Sequence, residues 1–427
     1  MARARLDELK RTAAVAPPVA PATPPPNTKP AVGVFPAPSG DPIRIGLGIA
    51  MTGGLAGPGK QALLGVQIWE EQINRKGGLL GRPVKVIAYD DQTNASTVPG
   101  LYTKLLDVDK VDLILGPYAT NMIAPAMPVA MQKGKTMIGL FGLAVNSEFN
   151  YPKYFAMIPT GQNTKPSFTE GFFDTAVANR LRTVALVAAD AEFANNACDG
   201  ARQNAKKHKI KIVYDRKYPP ATTDFTPIVR AIQATNPDAV VICSYPPDSV
   251  GMVRAVNEVG FKPKMIGGAM VGLQISAIKT MLGPLLNGWT NYETWAPTSH
   301  FLTPEAEAFL KEYQSRAKAA GVDPLGYYLG TWGYAYAELL GKAVEGAKSL
   351  NDDRIADYLR SNTIPTIVGP IRFGRNGEWV DSGMMQVQYK NIRGNDLEQF
   401  RGMNTQTVVA PARFKTGDVV VPFERLR

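Results

Sequence analysis

From Ile43 onward the chain alternates short apolar runs with longer amphipathic stretches. IRIGLGIA, PVKVIAYDD, VDLILGP and KTMIGLF are apolar almost throughout, as strands covered on both faces are. Between them GKQALLGVQIWEEQINRKGG, ASTVPGLYTKLLDVDK and TNMIAPAMPVAMQKGK carry apolar residues at helical spacing. After a break at YFAMIPTGQNTKP the alternation resumes with TVALVAAD, a helix through Cys198 to Lys207, IKIVYDRKY, FTPIVRAIQATN, AVVICSY and a helix through Val253. Two rounds of alternation predict an α/β protein of two doubly wound lobes, each with a mainly parallel sheet. A helical stretch (303–361) and the hairpin-like IVGPIRFGRNGEWVDSGMMQVQYK then complete both lobes.

The segment ahead of this pattern, 1–41, is of another kind. It is rich in Pro and Ala, buries too little to fold and is expected to be disordered. Asp7, Glu8, Lys10 and Arg11 interrupt any apolar core near the start, so no clear signal peptide is read there. Across all 427 residues the net charge is +10, but the basic residues are scattered and form no stripe interleaved with aromatics. Nucleic acid is therefore not an expected partner. His208 and His300 stand far apart and away from Cys198 and Cys243, so no metal or other cofactor is expected. The two cysteines read as small buried apolar residues, with a disulfide as the alternative.

MTGGLAGPGKQALLG (51–65) contains G-x-x-x-x-G-K, the start of a phosphate-binding loop, between a strand and a helix. Gln61 stands where Ser or Thr would hold magnesium, and Pro58 removes an N–H that a phosphate would need. ATP binding is thereby excluded as a reading. The general property remains: a loop at a strand's carboxyl end, ahead of a helix N-terminus, presents N–H groups to a polar ligand. PYATN, FGLAV, DAEF and SYPPD occupy equivalent strand ends.

MTGGLAGPGKQALLGVQIWEEQINRKGGLLGRPVKVIAYDDQTN resembles the opening of the leucine/isoleucine/valine-binding proteins that serve ABC importers. GPYATNMIAPAMPVAMQKGK, TTDFTPIVRAIQATNPDAVVIC and NEVGFKPKMIGG extend the resemblance over about 42–395. It implies the type I periplasmic-binding fold, two lobes joined by a three-crossover hinge, with the solute between them and no catalytic chemistry. The expected division is 42–162 for the first lobe, completed by about 293–365. The second lobe is 163–292, completed by about 366–400, and 401–427 form a C-terminal tail. The implied partners are a small solute and a membrane permease, and the implied location is the periplasm.

Carried over position by position, the resemblance suggests a ligand set. Leu55 lies in the glycine loop, and Ala119, Thr120 and Asn121 follow the third strand. Thr120 either holds a ligand carboxylate or caps its helix. Gly142, Leu143 and Ala144 offer backbone amides where the family uses hydroxyl groups. Phe193, Tyr245 and Tyr328 supply rings, although Phe193 and Tyr328 can equally belong to the lobe cores. Ala269 falls where the family has an acid for the ligand ammonium. Either Glu192 supplies that charge, with Asp248 as the alternative, or the solute has no ammonium; Glu192 is also readable as a solvated helix-start acid. The functional expectation is capture of a branched-chain-type amino acid or related small carboxylate. The alternatives are an aromatic carboxylate or amide binder, or a ligand-sensing receptor module.

Overall fold

The computed structural model describes residues 36–426, so most of the segment expected to be disordered lies outside the described residues. Five apolar runs form the first sheet: β1 (Ile43–Ile49), β2 (Val84–Asp90), β3 (Leu113–Tyr118), β4 (Met137–Leu140) and β5 (Tyr154–Ala156). Their order is β2-β1-β3-β4-β5 and every pairing is parallel. Helices α1 (Ala56–Arg75), α2 (Val98–Asp107) and α3 (Thr120–Gln132) connect the first four. Each parallel step needs such a crossover, which is why strand and helix patterns alternate in the sequence.

The second sheet repeats the scheme with β6 (Thr183–Ala189), β7 (Lys211–Tyr218), β8 (Ala239–Ser244), β9 (Met265–Met270) and β10 (Thr290–Glu293). Its helices are α4 (Thr164–Ala178), α5 (Glu192–Lys207), α6 (Thr226–Ala234), α7 (Pro246–Val259) and the short α8 (Ser276–Leu282). The chain then returns to the first sheet with α9 (Pro304–Ala320), α10 (Leu329–Ala347), α11 (Asp352–Ser361) and a small hairpin, β11 (Ile364–Thr366) and β12 (Gly369–Ile371). It crosses again to add β13 (Met385–Tyr389) and β14 (Gln406–Ala410) in antiparallel fashion. The seven strands run β14-β13-β10-β9-β8-β6-β7. The result is the mainly parallel, two-lobed α/β fold that the alternation predicts. Within the segment read as a tail (401–427), β14 pairs with β13 and is buried along its length, so Gln406–Ala410 belong to the second sheet.

Backbone contact fixes how the returning helices meet the first lobe. A Cβ at Gly333 of α10 would overlap the Ala62 carbonyl of α1, and one at Gly65 would overlap the Gly330 carbonyl. Glycine at both positions lets the two helices touch along their backbones. In the second lobe, Cys198 of α5 and Cys243 of β8 form a disulfide across 6.2 Å between Cα atoms. The preferred reading of two unpaired cysteines is thus overturned, because α5 packs on β8 with these buried side chains facing each other.

The lobes are joined at 157–163, 294–303 and 372–384, and the first and third connections are bolted side by side. Gly383 N donates to the Pro159 carbonyl (2.7 Å), and Trp379 Nε1 to the Ala156 carbonyl (3.0 Å). Gln162 Nε2 donates to the carbonyls of Glu378 (3.0 Å) and Trp379 (2.7 Å). The Glu378 carboxyl is only 1% exposed, and burial pushes its pKa from 4.5 up to about 8. It therefore stays protonated in the folded protein at neutral pH, while the unfolded chain ionises above about 4.5. The unfolded state then binds fewer protons, so stability should fall as pH rises from about 4.5 to 8. Urea unfolding of Glu378→Gln across this range should show a shallower decline than the parent; parallel curves would contradict the assignment.

Candidate functional site

The carboxyl ends of both sheets face one cleft. In its glycine loop, protein acceptors already hold the amides of Met51, Thr52, Leu55, Ala56 and Gly59. Asp90 accepts from Met51 N (2.8 Å), Thr52 N (3.2 Å) and Thr52 Oγ1 (2.7 Å), and Thr93 Oγ1 accepts from Leu55 N (3.1 Å). A Cβ at Gly59 would overlap the Ala50 carbonyl, so this glycine seats the start of α1 on the end of β1. Burial alone would raise the Asp90 pKa, but the bonds from Thr52, Met51 and Gln92 outweigh it and lower it. Asp91 beside it is fully buried, and burial raises it to about 6.

Deep in the cleft is a cavity of about 20 Å³, room for about one water. Its walls include seven aromatic rings: Tyr118, Phe141, Phe168, Phe193, Tyr245, Tyr292 and Tyr328. Ala119, Thr120, Ile158 and Val271 complete it. Phe193 meets Phe168 and Tyr245 edge-on, with centroids 5.3 and 5.8 Å away. The Tyr118 and Tyr328 hydroxyls are 3.0 Å apart, and the Tyr292 hydroxyl approaches the same pair. Burial holds all three phenols well above their ordinary pKa, so they are neutral hydrogen-bonding groups.

A second cavity of about 300 Å³ opens outside the first and shares Tyr245 with it. Gly54, Leu55, Thr93 and Asn121 line it from the first lobe, and Ala191, Pro220, Tyr245, Pro247 and Asp248 from the second. Among the described residues the buried Asn121 Oδ1 has no hydrogen-bond partner, while the buried Tyr245 hydroxyl lies against the backbone N–H groups of Phe193 and Ala194. Asp248 is 6% exposed; among the described residues the Tyr218 hydroxyl meets its carboxylate at 3.1 Å, and the backbone N–H groups of Tyr245 and of Asp248 itself also reach it. Burial raises its pKa against the effect of that bond.

The residues singled out from the sequence divide into two groups. Ala119, Thr120, Phe193, Tyr245 and Tyr328 line the inner cavity, and Leu55, Asn121 and Tyr245 the outer one. Gly142, Leu143, Ala144, Glu192 and Ala269 line neither. Thr120 is the first residue of α3, and its hydroxyl accepts from Leu143 N (3.0 Å), bracing the loop after β4. Ala269 remains inside β9, which runs on to Met270 and brings Val271 to the cavity instead. Glu192 sits against Glu148 of the first lobe, and burial followed by that like charge raises its pKa. Phe168 and Tyr292 were missed because a ring inside a helix or at a strand end has no local chemical signature. Tyr118 and Phe141 could have been found, since each adjoins a strand-end motif.

The periplasmic binding protein family model matches residues 42–395. The chain belongs to that family. Its members are solute-binding proteins rather than enzymes, and they work with ABC-transporter permeases. Leu/Ile/Val-binding protein homolog 8 of Brucella abortus is 23% identical over 366 residues, covering 82% of this chain and 88% of the relative. A branched-chain amino acid transporter substrate-binding protein of Streptococcus pneumoniae, solved with isoleucine, superposes with a TM-score of 0.69 at 20% identity. That match covers 90% of this chain and 100% of the other. An ABC-transporter solute-binding protein of Rhodopseudomonas palustris, solved with 3,4-dihydroxybenzoic acid, also gives 0.69, at 19% identity, over 82% of this chain and 94% of the other. At these identities the structures establish the fold, the type I periplasmic-binding architecture.

The lobes touch directly beside the cleft. Asn196 Nδ2 of α5 donates to the Leu143 carbonyl across the gap (3.1 Å), and Asn196 is 8% exposed. This bond spans the two lobes and so opposes their separation. Asn196→Ala should shift the solute-free protein toward open forms. Small-angle scattering should give a larger radius of gyration for the variant without solute, and an unchanged radius would show that the bond does not bias closure.

Proposed function

We propose that this family member captures an amino acid with an apolar side chain between its lobes and presents it to the permease of an ABC importer. The observation that carries this reading is Asp248. A buried carboxylate that faces a solute-sized cavity and has no cationic partner among the described residues suits an ammonium group. The orphan Asn121 Oδ1 beside it can accept from the same ammonium. The Thr120 and Asn121 N–H groups precede the ladder of α3, which starts with Met122 N and Ile123 N on the Ala119 carbonyl, and they are oriented to meet the carboxylate. Phe141, Phe168 and Phe193 would surround an aliphatic side chain. Asp248 thus takes the role for which Glu192 was the first candidate. A disulfide is at home in an oxidising compartment, in keeping with a periplasmic location.

A second reading has its own support. Once the lobes part and the inner cavity widens, its seven aromatic rings would suit stacking on a planar ring, and the Tyr118–Tyr328 hydroxyl pair could meet a phenol. An aromatic carboxylate needs no counter-charge from Asp248. Calorimetry with leucine, 4-methyl-2-oxopentanoate and 3,4-dihydroxybenzoate separates the two. Leucine should bind the parent, and Asp248→Asn should weaken it at least tenfold, about 1.4 kcal/mol, with little change for the oxo acid. Because burial raises the Asp248 pKa, leucine affinity should also fall as the medium is acidified. Tight binding of the benzoate with no response to leucine would replace the first reading by the second.

A further inference from the structure

Behind the cleft, on the second lobe, a groove of about 400 Å³ runs between α4, the third connection and the end of β14. It is larger than either cleft cavity and within the size range of small-molecule sites. Three carboxylates lie along it, Glu170 and Asp174 on α4 and Asp381 on the connection, against one cation, Arg413. The Arg413 guanidinium is stacked over the Phe414 ring, 4.7 Å from its centroid. Each carboxylate has a basic neighbour outside the groove lining: Lys207 at 2.9 Å from Glu170, His208 at 3.4 Å from Asp174 and Arg372 at 3.8 Å from Asp381. Even so, burial and the charge of Glu170 raise the Asp174 pKa against the pull of His208 and Lys207.

An independent observation comes from the floor. Gln386 of β13 lines the groove and is 1% exposed, and its amide Nε2 has no acceptor among the described residues. Leaving such a donor unpaired costs about 1–3 kcal/mol, so an occupant whose oxygen reached the Gln386 amide from the groove would relieve it. Phe168, Met384 and Met385 provide apolar wall beside it. Acidic rim, apolar wall and orphan donor together describe the complement of an occupant: a cationic head, a short apolar stem and a carbonyl.

From this arrangement we propose that the groove is a second ligand site, for a small organic cation of the alkylguanidinium amide type. A guanidinium pairs with carboxylates in a bidentate fork, which suits two acids one helical turn apart such as Glu170 and Asp174. The site communicates with the solute cleft through Phe168, which lines both cavities and whose ring packs on Tyr292 with centroids 4.3 Å apart. Asp381 and Ser382 on its other side belong to the hinge connection, where the Ser382 hydroxyl lies 3.5 Å from the Pro159 carbonyl. A cation held here bridges α4 and the hinge, and it acts whatever solute the cleft carries.

The test uses the full chain and N-acetylarginine amide, which has no free ammonium and so cannot mimic an amino acid in the cleft. Isothermal titration should detect binding below about 10 mM, with the neutral N-acetylcitrulline amide at least tenfold weaker. Glu170→Gln combined with Asp174→Asn should weaken the arginine derivative at least tenfold, whereas Asp248→Asn should leave it unchanged. These are surface substitutions, and the melting temperature of each variant checks that it folds. Absence of binding to the parent, equal binding of the neutral analogue, or full affinity in the doubly substituted groove would each overturn the proposal. Loss of affinity in Asp248→Asn alone would place the probe in the cleft and overturn it as well.

Discussion

The architecture depends on the bolting of the first connection to the third. Trp379 and Gln162 hold the two strands of chain together through backbone carbonyls, and Gly383 N closes the array on Pro159. Such bonds are indifferent to side-chain chemistry at the cleft, and they fix which ends of the two sheets face each other. With three passages of the chain between lobes, relative motion reduces to bending about this seam. The carboxyl ends of the strands must then share one cleft, and open α/β sheets bind their ligands at those ends.

Burial of carboxyl groups recurs across the molecule with different consequences. Burial raises Asp91 to about 6, Glu293 to about 7 and Glu378 to about 8. The charge of Lys279 draws the Glu293 pKa back, and burial lowers the pKa of Lys279 itself. These three groups sit inside the protein and serve the fold. Asp248 is the one that faces a cavity of about 300 Å³ bounded by both lobes. The same desolvation that makes a carboxylate a burden in a core makes it a recognition element where a ligand cation can arrive.

Much of this was legible along the chain. Apolar runs and helical spacing predicted the alternation of strands and helices, the two lobes and the departure from a nucleotide-binding loop at Pro58 and Gln61. The loops that meet at the cleft were recognisable too, because strand ends followed by helix starts are local features. What stayed hidden was which side chains point into the space. Val271 rather than Ala269 reaches the inner cavity because β9 continues to its end at Met270. Phe168 and Tyr292 reach it from a helix and a strand that touch only after folding.

Glu192 and Asp248 mark the boundary between the two kinds of information. Both are acids in the first turn of a helix that follows a strand of the second lobe, and locally they read alike. Glu192 ends against Glu148 and Asp248 against Leu55 and Asn121 of the opposite lobe, a difference set by how the lobes close. Likewise, Cys198 and Cys243 lie on separate elements and pair because α5 packs on β8. The sequence by itself determined the element types, the class of fold and the family, since these rest on periodicity and on motifs contained within a few turns or strands. Tertiary structure alone decided the occupants of the cleft wall and the acidic groove, since those depend on contacts between residues far apart in the chain.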